Sequence, residues 1–345
     1  MQHLSPDSGA GAGSALGGVS AVAPGDGDAG PPARSLRTVT GPLPVSAVRG
    51  HVLAHEHLVL DLDHARDGAA VLDADRHGAG VATELGALRE AYGLGLVIEL
   101  TCRGMGRDPH ALARISAASG VPVVAATGWY YEAFHPAELD GASVEELTST
   151  LVREIRDGIG ATGVRPGVLG EIGSHGDSPS EPETRALLAS AHAAVATGLS
   201  VATHAQLGRG ALAQLELLTG AGLAPYRISL GHQDLLDAPA VHRELAASGA
   251  YVAFDTVGKE SYQSDTVRLR LLLALVEVGH ADRVLLSCDI SRHAYLRSEG
   301  GQGYGHLFRS FLPRVRAAGV DEDLIDLMTR RNPLRFLTGA DTKES

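Results

Sequence analysis

Eight short apolar runs, most of them followed by a stretch of helical periodicity, constrain the fold of this chain more than any other feature. The runs cover residues 50–54, 96–100, 121–127, 167–172, 200–204, 227–231, 250–255 and 283–289. Amphipathic helices are expected between them at 82–92, 144–155, 181–197, 210–218, 238–248 and 264–278. Gly93, Gly198 and Gly249 stand where C-caps would fall, and Asp108-Pro109 and Glu181-Pro182 suit helix starts. Strands that alternate with helices predict a parallel sheet joined by crossovers. Eight such units favour a closed (β/α)8 TIM barrel over an open doubly wound sheet. No G-x-G-x-x-G follows the first run, which removes the usual mark of a dinucleotide fold. Unequal repeat lengths exclude a solenoid. A short β-hairpin, 36–40 with 44–48 around Gly41-Pro42, is expected ahead of the barrel. Residues 1–34 read as a disordered Gly/Ala/Pro-rich tail, or as sequence upstream of the true start, and 35–345 as one barrel domain.

Charge and cysteine content narrow the partners. A net charge of −12 with no Lys/Arg-rich run argues against a nucleic-acid backbone or an anionic membrane surface. No apolar run reaches the roughly 18–20 residues of a membrane helix. Two cysteines, Cys102 and Cys288, each in or beside an apolar run, make a disulfide framework implausible and fit a reducing cytoplasm. A small-molecule substrate is the expected partner.

Five of the runs meet metal-ligand residue types: HVLAHEH supplies His55 and His57, GVLGEIG supplies Glu171, SVATHA His204, ISLGHQD His232 and VLLSCDI Asp289. A parallel barrel gathers the C-terminal ends of its strands around one mouth, so these positions converge. Four imidazoles and two carboxylates suit two zinc-like ions with positions left for water and substrate. The i, i+2 spacing of His55 and His57 points both to one side of an extended strand, expected to be the interior, with Glu56 facing away. Singly, each residue reads as a core histidine or a cap; their joint placement on strands 1, 4, 5, 6 and 8 is what points to metal.

The same motifs, with FDTVGKESYQSD, GGQGYGHLFRSFLPRV and RRNPLRFL, resemble the phosphotriesterase family of the amidohydrolase superfamily, and within it the bacterial phosphotriesterase homology proteins. The resemblance spans about residues 50–337. It implies one divalent ion on His55, His57 and Asp289 and a second on His204 and His232, with Glu171 and a hydroxide bridging them. Zinc is the expected metal, with manganese or cobalt as alternatives. The founding phosphotriesterases carry a carboxylated lysine where this chain has Glu171, and the only lysines here are Lys259 and Lys343. Organophosphate triesters are therefore not expected to be the natural substrates. Relatives are often dimers, so a homodimer is an expectation of the same kind.

On that resemblance the hydroxide attacks a carbonyl or phosphoryl centre and Asp289 carries a proton to the leaving group. Lys259, Arg292 and Tyr295, beyond strands 7 and 8, look like the anion site of relatives that open phosphorylated sugar lactones. Tyr130, with Trp129 and Tyr131, is expected to wall the pocket, and Arg103 and Arg107 to be structural. A lactonase acting on a small lactone, phosphorylated or not, ranks ahead of an amide hydrolase of N-acyl compounds and of a phosphotriesterase. A mononuclear deaminase and a metal- or ligand-binding barrel without turnover are the remaining alternatives.

Overall fold

A computed structural model describes residues 35–63 and 67–340. The expected tail at 1–34 lies outside the described residues. Eight parallel strands form one sheet in sequential order, from His51–Glu56 through Leu94–Glu99, Val123–Thr127, Val168–Ser174, Val201–Ala205, Ile228–Leu230 and Tyr251–Phe254 to Val284–Leu286. They are called the first to eighth strands below. With the helices between them they make a nearly closed (β/α)8 barrel.

Alternation along the strands divides the core. Val52, Ala54, Leu96, Ile98, Leu100, Val124, Ala126, Val168, Ala202, Tyr251, Ala253 and Leu285 form one apolar cluster, contributed by alternate positions round the ring. This is the barrel interior, closed below by Leu36, Val48, Leu334, Phe336 and Leu337. Intervening residues such as Leu53, Val97, Val123, Leu169, Val201 and Val284 pack outward against the helices. The polar residues at the upper strand ends therefore stand on a tightly packed apolar floor.

Local chemistry explains most boundaries. Ser143 and Ser180 begin Val144–Asp157 and Glu181–Thr197 with capping boxes to Glu146 and Glu183, and Gly198 closes the latter in the left-handed region. The helix expected at 82–92 starts earlier, at Ala74, because Asp73 accepts from the Arg76 amide as its N-cap. Gly78 and Gly80 hide the apolar periodicity of that first turn pair. The hairpin also shifts: its strands are Ser35–Thr38 and Gly41–Pro44, with Val45–Ala47 helical. Pro42 sits in the second strand of this two-stranded ribbon, where a missing N–H is tolerated, and the turn falls on Val39-Thr40. No helix among the described residues is long and apolar enough to cross a membrane.

Candidate metal centre

Simple alternation would have turned His55 outward with Leu53. The ladder between the first two strands prevents this: Leu53 pairs with Val97 but Glu56 with Glu99, so the first strand carries one extra residue. This bulge shifts the side-chain phase, bringing His55 and His57 inward and sending Glu56 away. The fourth strand repeats the device, since Leu169 pairs with Val201 and Ile172 with Thr203. Gly170 lies inside that bulge, where a Cβ would meet the Ala202 carbonyl oxygen at 2.9 Å. Glu171 is thereby aimed into the barrel. His232 and Asp289, just beyond the sixth and eighth strands, adopt left-handed backbone with φ of 57° and 48°.

All six expected ligands converge, and all are buried. His57 Nε2 lies 3.5 Å from Glu171 Oε2 and 3.4 Å from Asp289 Oδ1, and His55 Nε2 lies 3.6 Å from Glu171 Oε1. These gaps exceed hydrogen-bond length and approach the roughly 3.4 Å separating two tetrahedral ligands about 2.0–2.1 Å from zinc. His204 Nδ1, His232 Nε2 and Glu171 Oε1 stand 2.8–2.9 Å apart. Glu171 thus faces both groups of imidazoles. Among the buried polar atoms His55 Nε2 has no hydrogen-bond partner, although it points into this cluster. An imidazole nitrogen so placed, beside three buried carboxylates (Glu171, Asp255 and Asp289) and one ammonium (Lys259), fits divalent cations.

The outer nitrogen of every imidazole is held, which fixes the inward one as the free donor. His55 Nδ1–H donates to Asp255 Oδ2 at 2.7 Å and His232 Nδ1–H to Asp255 Oδ1 at 2.9 Å. His57 Nδ1–H donates to the Thr101 hydroxyl at 2.8 Å, which in turn donates to Glu99 at 2.5 Å. His204 Nε2–H donates to Gln206 Oε1 at 2.9 Å. Such outer partners set imidazole tautomer and basicity in metal sites. None of Asp255, Thr101, Glu99 and Gln206 was expected from the sequence. Asp255 ends the seventh run as Asp289 ends the eighth, so the rule that found one could have found the other. Thr101, Glu99 and Gln206 carry no comparable signal.

Titration follows from these contacts. Burial works against the charged form of His57, but the facing Asp289 and Glu171 carboxylates prevail and hold it at about 9. His232 is likewise opposed by burial and held by Asp255 at about 10. Burial would raise Asp289, yet the Lys259 ammonium and His57 keep it at about 2. His55 is likewise opposed by burial and raised well above the ordinary imidazole value by Glu171 and Asp255, so near neutral pH the metal-free protein carries charged imidazoles at His55, His57 and His232 that must shed protons to coordinate. Loading with Zn²⁺ is expected to release protons and to tighten as pH rises toward 9. Calorimetry in buffers of different ionisation enthalpy would detect the release; a buffer-independent heat at pH 7.5 would contradict it.

A cavity of about 240 Å³ opens above the cluster, lined by Lys259, Arg292, Tyr130, Tyr131, Phe134 and Leu235 among others. Lys259 pairs with Asp289 and donates to the Ser291 hydroxyl at 3.0 Å. Tyr130 brings its hydroxyl to 3.1 Å from His204 Nδ1. Tyr295 does not line the cavity; its ring stands 5.4 Å from the Lys259 ammonium and braces it. Trp129 is fully buried and donates to Glu138, so it supports the aromatic loop and is no part of the cavity wall. Arg103 and Arg107 share Glu154, which also accepts from Thr127, and so are structural.

The model of the phosphotriesterase family matches residues 34–337. The chain belongs to the phosphotriesterase family. Within this family it is 37% identical over 287 residues to the phosphotriesterase homology protein of Escherichia coli, covering 83% of this chain and 97% of that one. The crystal structure of that protein, with phosphate in its active site, superposes with a TM-score of 0.81 at 36% identity, covering 84% of this chain and 99% of that chain. Mouse N-acetyltaurine hydrolase is 33% identical over 274 residues, 74% of this chain and 78% of that one. A mutant phosphotriesterase-like lactonase of Deinococcus radiodurans has a TM-score of 0.78 at 31% identity, covering 88% and 99%. The (β/α)8 barrel of this phosphotriesterase-family chain is therefore shared with its solved relatives.

Proposed function

We propose that the chain is a metal-dependent hydrolase with a binuclear centre, cleaving a small carboxylic acid derivative that bears an anionic group, a lactone first among them. Two divalent ions, zinc before manganese or cobalt, would polarise the electrophile and supply hydroxide near neutral pH. His55, His57 and Asp289 would hold one and His204 and His232 the other, with Glu171 shared. The observation that carries the substrate reading is the placement of Lys259 and Arg292 in the cavity directly above these donors. A flexible ammonium and a planar guanidinium at one end suit a phosphate, sulfonate or carboxylate. Tyr131, Phe134 and Leu235 offer apolar surface for the rest of the molecule. Asp289, ionised and beside both His57 and Lys259, is placed to take a proton and return it to the leaving oxygen or nitrogen.

Hydrolysis of an N-acyl amide is the second reading, favoured by the likeness to N-acetyltaurine hydrolase. N-acetyltaurine joins an acetamide to a sulfonate, which the same cationic end would accommodate. Assays of the metal-loaded protein on matched lactones, N-acyl amino acids and sulfonates, and aryl phosphotriesters separate the readings. With Lys259→Ala, KM for the preferred anionic substrate is expected to rise about 10–100-fold, the worth of one charged hydrogen bond. Neutral esters should be affected far less. Equal effects on charged and neutral substrates would remove Lys259 from recognition. Bound metal without turnover of any class would leave a binding protein.

A further inference from the structure

The ladder of backbone pairing runs from the first strand round to the eighth and stops there, since no strand pairing joins Val284–Leu286 to His51–Glu56. Among the described residues one main-chain bond crosses this seam, from the Asp289 N–H to the His55 carbonyl at 3.3 Å. The carboxylate of Glu56 also bridges the seam. Its Oε1 accepts from the Ser287 hydroxyl at 2.7 Å and the Cys288 N–H at 2.8 Å, and its Oε2 accepts from the Ile290 N–H at 2.9 Å. Glu56 is fully buried and has no cationic partner among these contacts.

The peptide groups it holds lie on both sides of Asp289, whose left-handed φ of 48° few side chains adopt without support. A carboxylate is suited to this task because both its oxygens accept and neither donates. A glutamine would turn an amide N–H toward one of the two backbone N–H groups, and an apolar residue would leave both without an acceptor. The bulge that turns His55 and His57 inward is also what turns Glu56 toward the seam. One tripeptide therefore delivers two donors to the cluster and one clasp to the loop that carries a third.

We propose that Glu56 is a positioning residue: through the Ser287–Ile290 backbone it holds Asp289 against His57, so that closure of the barrel seam and cation binding by His55, His57 and Asp289 depend on each other. This rests on the reading of Asp289 as a cation ligand. It differs from a packing role in its consequence, because the loss falls on one cation group and spares the His204–His232 group.

The test uses the full chain stripped of metal and titrated with Co²⁺, followed by calorimetry and visible absorption, together with amide exchange of the metal-free protein. Glu56→Gln is expected to weaken the same binding event that Asp289→Ala weakens, by about 10–100-fold as for other outer partners of metal ligands. The second event should keep its affinity, and the Ile290 amide should exchange faster. Ser287→Ala removes one donor to the same carboxylate and should shift both readouts in the same direction by a smaller factor. Wild-type Co²⁺ binding in Glu56→Gln would overturn the proposal. So would equal weakening of both events with unchanged Ile290 exchange. Where Glu56→Gln does not fold, Ser287→Ala decides, and unchanged Co²⁺ binding and exchange in it count against the clasp. Unchanged Co²⁺ binding in Asp289→Ala would instead sink the ligand reading beneath it, and the coupling with it.

Discussion

Asp289→Asn is expected to remove most turnover while leaving the fold and much of the metal in place. General acid–base groups contribute about 10²–10⁴-fold to rate, and Asp289 is the acidic side chain placed for this task. Its Oδ1 faces His57 at 3.4 Å and its other oxygen faces Lys259, so the carboxylate sits between the candidate ligands and the cationic end of the cavity. Asparagine preserves the shape and one oxygen donor, but it cannot carry a proton at neutral pH. Lys259 would keep the Ser291 hydroxyl as its remaining hydrogen-bond acceptor. Metal content by mass spectrometry and kcat on the best substrate of the panel are the two readouts. A fall in kcat of about 10³-fold with metal largely retained supports proton transfer. Wild-type turnover rules it out, and parallel loss of metal and activity reassigns Asp289 to ligation alone.

Asp255→Ala is expected to act on metal affinity more than on any single chemical step. One carboxylate holds His55 through Oδ2 and His232 through Oδ1, and Oδ1 also accepts the His232 backbone N–H at 2.9 Å. It therefore orients one imidazole from each expected cation group and supports the left-handed turn at His232. Outer-shell partners of this kind are worth about 10–100-fold in metal affinity each. Removing a partner of both groups should weaken both binding events together, unlike the one-sided effect of changing Glu56. Titration of the metal-free variant with Zn²⁺ against a competing chelator reads this directly. An unchanged affinity for either ion would show that packing alone orients the rings.

Much of this site was legible because its chemistry sits at strand ends. His55, His57, Glu171, His204, His232 and Asp289 each stand at or near the end of an apolar run, and the barrel gathers such ends at one mouth. The partners that hold them were less legible. Thr101, just past the second strand, reaches His57 and is held by Glu99 at that strand's end, and Gln206 reaches His204 from a short turn, through contacts that no residue spacing announces. Lys259 and Arg292 were expected at the cavity and line it, whereas Tyr295 acts on Lys259 from behind. The hairpin was misplaced by a few residues because Gly41-Pro42 has the composition of a turn yet occupies a strand.

The sequence by itself determined the order of strands and helices, the closed barrel they favour, and the residue types available for metal and anion binding. Hydrophobic periodicity and capping are local properties, so they are written in consecutive residues. Only the tertiary structure decided which way those residues point. The i, i+2 spacing of His55 and His57 ensures a common side, but the bulge against the second strand makes that side the interior. A second bulge does the same for Glu171. The reason is that strand side chains alternate with a period of two, so a single extra residue reverses them all, and whether one is present depends on pairing with a strand more than 25 residues away.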